Sequence, residues 1–266
     1  PYTTLFRPEV SIIGNSYRIM KGGAASVIFR AYDEAMKSLH IETNFGKKFY
    51  PTPFYKDGYY ISLVAWPTQV ESFRASIVAQ DRAGNITKTP ISYFVQDRKY
   101  RTSTIPLQDS FLDGKIADLI SEMAPERSSL SRLEKFKFVN ETMRSGNEAA
   151  ILKVTSNVPT TRLDGFFMKP FYPLRNGKVV ASFGDHRFYE YDKQPVSESH
   201  HLGLDLASNA QAPMHTSNDG VVVFARENGI YGNNIILDHG LGIYSLYGHC
   251  SSYMVKEGDV LKAGDA

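Results

Sequence analysis

The chain has 266 residues, of which 42% are hydrophobic and 22% charged, with a formal net charge of +2. That composition excludes a disordered or fibrous polymer, and the length allows one large domain or two or three small ones. So small a charge, with no Lys/Arg run, excludes a nucleic-acid groove and suits at most an acidic glycan or cell-wall polymer.

Pro1-Tyr2-Thr3-Thr4-Leu5-Phe6-Arg7-Pro8 is no secretory signal and reads as the interior of a longer chain, with room for a membrane anchor upstream of residue 1. No apolar run approaches the roughly 18 residues of a membrane span. Up to about residue 103 the chain reads as short strands. Ala25–Tyr32, Tyr59–Trp66 and Phe73–Ala79 are β-branched and aromatic runs, punctuated by turns at Lys56-Asp57-Gly58 and Asp81-Arg82-Ala83-Gly84-Asn85. This pattern predicts a β-sandwich over 1–103. Its Asp-x-Ala-Gly-Asn turn resembles those of bacterial immunoglobulin-like modules. Asp81 is a plain turn residue in this reading, with a calcium site as the weaker alternative.

The period then changes to that of a helix. Ile116, Leu119, Ile120 and Met123 share one helical face, and Pro125 ends that helix. Ser131-x-x-Glu134 is a capping box for a second helix carrying Leu133, Phe136, Val139 and Met143, with a stop expected at Ser145-Gly146-Asn147. Residues 104–150 are thus expected to be a helical linker or hairpin. Strands are predicted to resume at Ile151–Val154 and to recur at Lys178–Phe183, Gly220–Ala225, Asn234–Leu237 and Ile243–Tyr247. The whole chain is read as mainly β with a small helical segment.

The chemistry concentrates late. Five of the seven histidines fall from His200 to His249. His201-Leu202-Gly203-Leu204-Asp205 offers an imidazole and a carboxylate, both suited to zinc. In a straight strand four residues span about 13 Å, so one ion can hold both groups only if the backbone bends, and Gly203 is the residue expected to allow it. Phe183-Gly184-Asp185-His186-Arg187 precedes this unit. Asn218-Asp219-Gly220-Val221-Val222, Tyr231-Gly232-Asn233-Asn234, Asp238-His239-Gly240, Tyr247-Gly248-His249 and Val255-Lys256-Glu257-Gly258-Asp259 follow it.

In this order and spacing, from about Phe183 to Ala266, the chain resembles the catalytic domain of lysostaphin/LytM-type zinc peptidoglycan endopeptidases. The resemblance implies an antiparallel β-sheet peptidase domain over 151–266, with Zn2+ as cofactor and peptidoglycan as partner. His201 and Asp205 match the first two zinc ligands, and His249 matches the catalytic histidine that assists the attacking water or the developing oxyanion. The family's His-x-His element, which supplies the third ligand, does not occur before the sequence closes at Ala266, so the peptidase domain is expected to be incomplete at its C-terminus. The implied reaction is hydrolysis of a peptide cross-link, D-alanyl–meso-diaminopimelate if the source is Gram-negative, in the periplasm or cell envelope of a bacterium.

Two other classes compete. One is a non-catalytic LytM-like protein that binds peptidoglycan or activates an amidase; such proteins usually lose the ligands that are present here. The other is a biotinyl or lipoyl carrier, suggested by Val255–Gly264, but that fold needs an exposed Met-Lys-Met-like triplet the chain lacks. His200, His215 and His239 are read as surface, cleft-side and turn residues, His186 as a second cleft-side residue, and His40 as incidental. Cys250 is read as a packed small residue, not a nucleophile. For the N-terminal module the candidate jobs are spacing, binding the wall or a partner, and inhibition.

Overall fold

The computed structural model describes residues 7–172 and 174–266; the reading of residues 1–6 as the interior of a longer chain lies outside the described residues. The chain divides into two compact units. One comprises residues 1–99, 157–168 and 240–242, and the other residues 100–156, 169–239 and 243–266.

The first unit is built from β1 (Glu9–Asn15), β2 (Arg18–Met20), β3 (Ala24–Tyr32), β4 (Met36–Thr43), β5 (Lys48–Phe49), β6 (Thr52–Pro53), β7 (Tyr59–Ala65), β8 (Ala75–Asp81), β9 (Ile86–Pro90) and β10 (Phe94–Gln96). They form two four-stranded antiparallel sheets, β1-β3-β7-β6 and β5-β4-β8-β9, and a parallel β10-β2 pair. The strand period places alternate residues on one face. Along β3 the buried set is Ala25, Val27, Phe29 and Ala31. With Val64, Ile41, Ile77, Trp66 and Phe73 these residues form one core shared by both sheets. The indole N–H of Trp66 donates to the Val70 carbonyl at 2.8 Å, so this buried ring leaves no polar atom unpaired.

Asp81 closes the β8–β9 turn as a turn residue. Its carboxylate accepts from the Asn85 backbone N–H and from the Asn85 side chain, each at 2.8 Å. Burial pushes this carboxyl up, but the Asn85 bonds and the backbone N–H groups of the turn outweigh it and leave it below its ordinary value.

The second unit opens with β11 (Thr102–Pro106), two helices, α1 (109–123) and α2 (132–155), and then β12 (Lys178–Ala181), β13 (His186–Tyr191), β14 (Gln194–His200), β15 (Asp205–Ala207), β16 (Gly220–Glu227), β17 (Asn233–Asp238), β18 (Tyr244–Cys250) and β19 (Val260–Leu261). Three sheets result: β11-β13-β14, β12-β15 and β18-β17-β16-β19. β11 joins β13 in parallel, and the other pairings are antiparallel. Leu112, Ile116, Ile120, Phe136 and Val139 of the helices are buried, with Tyr189, Tyr191 and Val196 of β13 and β14 packed against them. The buried Asn140 ties α2 to β14 through Ser197 Oγ at 2.9 Å and the Glu198 carbonyl at 3.1 Å.

The capping box at Ser131 and Glu134 is present, with Ser131 N–H donating to Glu134 Oε2 at 2.8 Å. The expected stop at Ser145-Gly146-Asn147 is not. α2 runs on to Thr155, so Ile151–Val154, expected as a strand, is its last turn. A glycine inside a helix costs only about 1 kcal/mol relative to alanine. The Asn147 side chain, instead of capping, accepts from the Ile230 N–H at 3.1 Å. A short apolar run such as 151–154 carries no period of its own to oppose the helix. Each helix also contains a π-helical stretch, Leu112–Ile116 and Phe138–Met143.

Because Asp81 is held ionised in the fold, its contribution to stability is present above the carboxyl's unfolded pKa and is lost as pH falls through the lower folded value. Asp81→Asn is therefore expected to weaken the acid dependence of unfolding below about pH 4, measured by urea denaturation at a series of acid pH values.

Candidate metal centre

The site begins at the junction of β12 and β15. These strands pair antiparallel with Ala181 opposite Asp205 and a bulge between Val179 and Ala181. His201 lies just after β14, and residues 201–204 leave strand geometry through a bend at Gly203 before β15 starts at Asp205. The bend closes the distance that a straight strand would impose: His201 Nε2 stands 3.0 Å from Asp205 Oδ1. Gly203 is not in the left-handed region, and a Cβ built there would meet only His201 Nε2, at 3.8 Å. The bend therefore does not require glycine for its backbone angles. A Cβ there would make only ordinary van der Waals contact with the imidazole.

The other ring nitrogen decides the chemistry. His201 Nδ1 is 2.8 Å from the Ser182 carbonyl oxygen, which can only accept, so Nδ1 carries the proton. In the neutral ring Nε2 then offers a lone pair, and it offers it toward a carboxylate oxygen. Two acceptors facing each other at 3.0 Å need a cation between them or a proton on the ring. Two donors on one tetrahedral zinc, each about 2.1 Å from it, stand roughly 3.4 Å apart, close to the separation found here. The residues present therefore fit a metal ion, and the Ser182 carbonyl is the outer partner that such a histidine usually has. Among the described residues no group of three or more His, Cys, Asp or Glu side chains converges as a complete cage.

Sequence reasoning missed the support behind Asp205. Asp185 is buried, accepts from the Ser103 hydroxyl at 2.8 Å, and pairs with Arg187 Nε at 3.3 Å. The same guanidinium reaches Asp205 Oδ2 at 3.9 Å. Backbone bonds lock the frame, with His201 N–H donating to the Asp185 carbonyl at 2.9 Å and Gly184 N–H to the His201 carbonyl at 2.7 Å. Ser103 sits on β11, more than eighty positions before Asp185, and no sequence spacing signals that pairing.

His249 is on a different sheet from the pair, in β18, exposed and at φ +58°. It makes no hydrogen bond or ion pair with His201 or Asp205 among the described residues. The remaining histidines are engaged elsewhere. His186 stacks on His200 with ring centroids 4.1 Å apart and bonds Glu198 at 3.0 Å. His239 spans the Asp219 carbonyl at 2.7 Å and Ser245 Oγ at 2.8 Å, a role that holds the β17–β18 connection. His215 Nδ1 donates to the Gly264 carbonyl at 3.0 Å. In the first unit, burial and then Lys48 push His40 below its ordinary pKa.

A histidine and a carboxylate are thus brought together at the start of β15, with the other imidazole nitrogen tied to a backbone carbonyl. Residues 199–266 match the model of Peptidase family M23. The chain is 38% identical over 90 residues to the DD-carboxypeptidase/endopeptidase Mpg of Neisseria meningitidis, covering 33% of this chain and 20% of that protein. It is 31% identical over 94 residues to the peptidoglycan DD-endopeptidase ShyA of Vibrio cholerae, covering 35% and 21%. The matches thus span about a fifth of these relatives' length. A crystal structure assigned to peptidase M23 from Pseudomonas aeruginosa aligns over 92% of this chain and 80% of its own, at 16% identity and a TM-score of 0.49.

Cys250, next to His249, is half-buried, and burial raises its thiol above the ordinary value against a smaller lowering by a backbone hydrogen bond. Since the thiolate is the reactive form, Cys250 is expected to alkylate with iodoacetamide at pH 8 several-fold more slowly than free cysteine, measured by mass spectrometry over time.

Proposed function

We propose that the protein is a zinc metalloendopeptidase that hydrolyses peptide cross-links of peptidoglycan in the bacterial cell envelope. The observation that carries this reading is His201 Nε2 facing Asp205 Oδ1 at 3.0 Å, close to the separation of two donors on one zinc ion. In this reading His201 and Asp205 are zinc ligands, and the Ser182 carbonyl keeps the ring in the ligating tautomer. Arg187, held by Asp185, steadies the second carboxylate oxygen of Asp205. When bound, zinc supplies Lewis acidity and brings the pKa of water toward about 7.

His249 is the proposed catalytic histidine. Its exposure leaves the imidazole free to hydrogen-bond the attacking water or the oxyanion that develops on the scissile carbonyl. The name of the Vibrio relative, a peptidoglycan DD-endopeptidase, supports peptidoglycan as the substrate class, and the proposed bond is the D-alanyl–meso-diaminopimelate cross-link. A peptidoglycan substrate implies a periplasmic or envelope location. No helix among the described residues is long and apolar enough to cross a membrane. The N-terminal unit, two four-stranded antiparallel sheets around one core, is proposed to be an immunoglobulin-like accessory module.

Metal analysis and digestion of cross-linked muropeptides test this reading in the full-length protein. His201→Ala and Asp205→Ala are expected to lose bound zinc and activity together. His249→Ala is expected to retain zinc and to lose turnover by about 10²-fold, with KM little changed, because its contribution is made in the transition state. Full zinc occupancy in both ligand variants would refute the assignment.

A further inference from the structure

β17 and β18 do not pair evenly around His249. Asn233 lies opposite Cys250 and Ile235 opposite Tyr247, so two steps along β17 face three along β18, and the extra residue falls at Gly248-His249. This is a β-bulge, and bulges re-aim a side chain at the expense of local ladder bonds. His249 sits there at φ +58°, a left-handed conformation that a residue with a Cβ seldom adopts unless its surroundings impose it.

Two consecutive side chains bracket it. Asn234 Nδ2 donates to the Tyr247 carbonyl at 2.9 Å, and Asn233 Nδ2 donates to the Cys250 carbonyl at 3.1 Å. These carbonyls flank Gly248-His249 on either side. Asn234 is fully buried, and its Oδ1 has no hydrogen-bond partner. An apolar side chain would avoid that unpaired oxygen, so what the amide contributes is its bond to Tyr247. The fold leaves room for the bulge from the other side. Gly232, at φ +57°, passes beside His249, where a Cβ would stand 3.7 Å from both Cα and Nδ1. Gly248 lies under Tyr231, where a Cβ would come within 3.4 Å of the Tyr231 carbonyl oxygen.

We infer that Asn233 and Asn234 form a clamp that holds the β18 bulge and thereby sets the position of the His249 imidazole. They are positioning residues, acting on substrate only through His249, and the inference rests on the reading of His249 as the catalytic histidine. Released from the clamp, the bulge can redistribute its extra residue along the edge strand. The imidazole then moves by an ångström or more, enough to cost about 10²-fold in rate.

The test uses Asn233→Ala, Asn234→Ala and His249→Ala, singly and with each Asn variant combined with His249→Ala, in the full-length protein. Thermal midpoint, zinc content, kcat and KM on a cross-linked muropeptide are measured for each. The expected result is a kcat lowered about 10- to 100-fold in each Asn variant, with zinc content and KM within two-fold of the parent. In the combined variants no further loss beyond His249→Ala alone is expected, because the Asn residues act only through that ring. Asn233 is only half-buried, so its variant carries the test if Asn234→Ala does not fold. Folded Asn variants with parental kcat, while His249→Ala loses turnover, overturn the clamp and leave the function intact. So do losses that multiply with that of His249→Ala. A His249→Ala protein with parental turnover overturns both the catalytic role of His249 and the clamp that depends on it.

Discussion

The hydrogen bond from His201 Nδ1 to the Ser182 carbonyl is the constraint on which the centre depends. A histidine can serve as a metal ligand only through a nitrogen that carries no proton, and which nitrogen that is depends on what the other one donates to. Here a backbone carbonyl makes the choice, and no side-chain substitution at Ser182 can remove it directly. Everything that fixes the carbonyl therefore also fixes the tautomer: the β12–β15 pairing, the bulge before Ala181, and the backbone bonds between Gly184, Asp185 and His201. Asp205 enters the same frame as the first residue of β15, which is why a four-residue separation in sequence becomes a 3.0 Å approach in space.

The frame is made rigid from outside the recognisable motifs. β11 lies parallel to β13 and brings Ser103 to Asp185, whose carboxylate would otherwise be a buried charge with Arg187 alone as partner. A buried carboxylate is tolerable only when its lone pairs are filled, and Ser103 and Arg187 do this from two directions. The helices add apolar weight behind the same sheet. Phe136 meets Tyr189 edge-on at 5.1 Å, and Asn140 pins α2 to β14 by two hydrogen bonds. The stretch read from its sequence as a helical linker or hairpin packs on β13 and β14, the strands that lead into His201.

Backbone strain is distributed unevenly between the proposed ligand pair and His249. His201 and Asp205, the proposed ligands, sit in ordinary backbone conformations, with the His201 backbone held by main-chain bonds. His249 sits at a positive φ on an edge strand of β18-β17-β16-β19, where a bulge has interrupted the ladder. A ligand needs a fixed distance to an ion, whereas a group that assists a developing charge needs a direction of approach. A bulge alters direction without displacing the strand that carries it.

Much of this protein is determined by sequence alone. Strand alternation in β3, the turn chemistry at Asp81–Asn85, the capping box at Ser131 and the His-x-Gly-x-Asp unit are local, and each follows from the residues within a few positions of it. The length of α2 is not local in that sense. Gly146 and Asn147 form a good stop signal, and the helix passes through them because Asn147 finds a partner at Ile230, more than eighty positions away. The support of Asp185 by Ser103, the proton position on His201, and the offset that turns His249 out of the ladder are likewise decided by the tertiary structure. Each depends on which backbone atom arrives opposite a side chain from a distant strand. Residue identity states what a group can donate or accept, and only strand register decides what it meets.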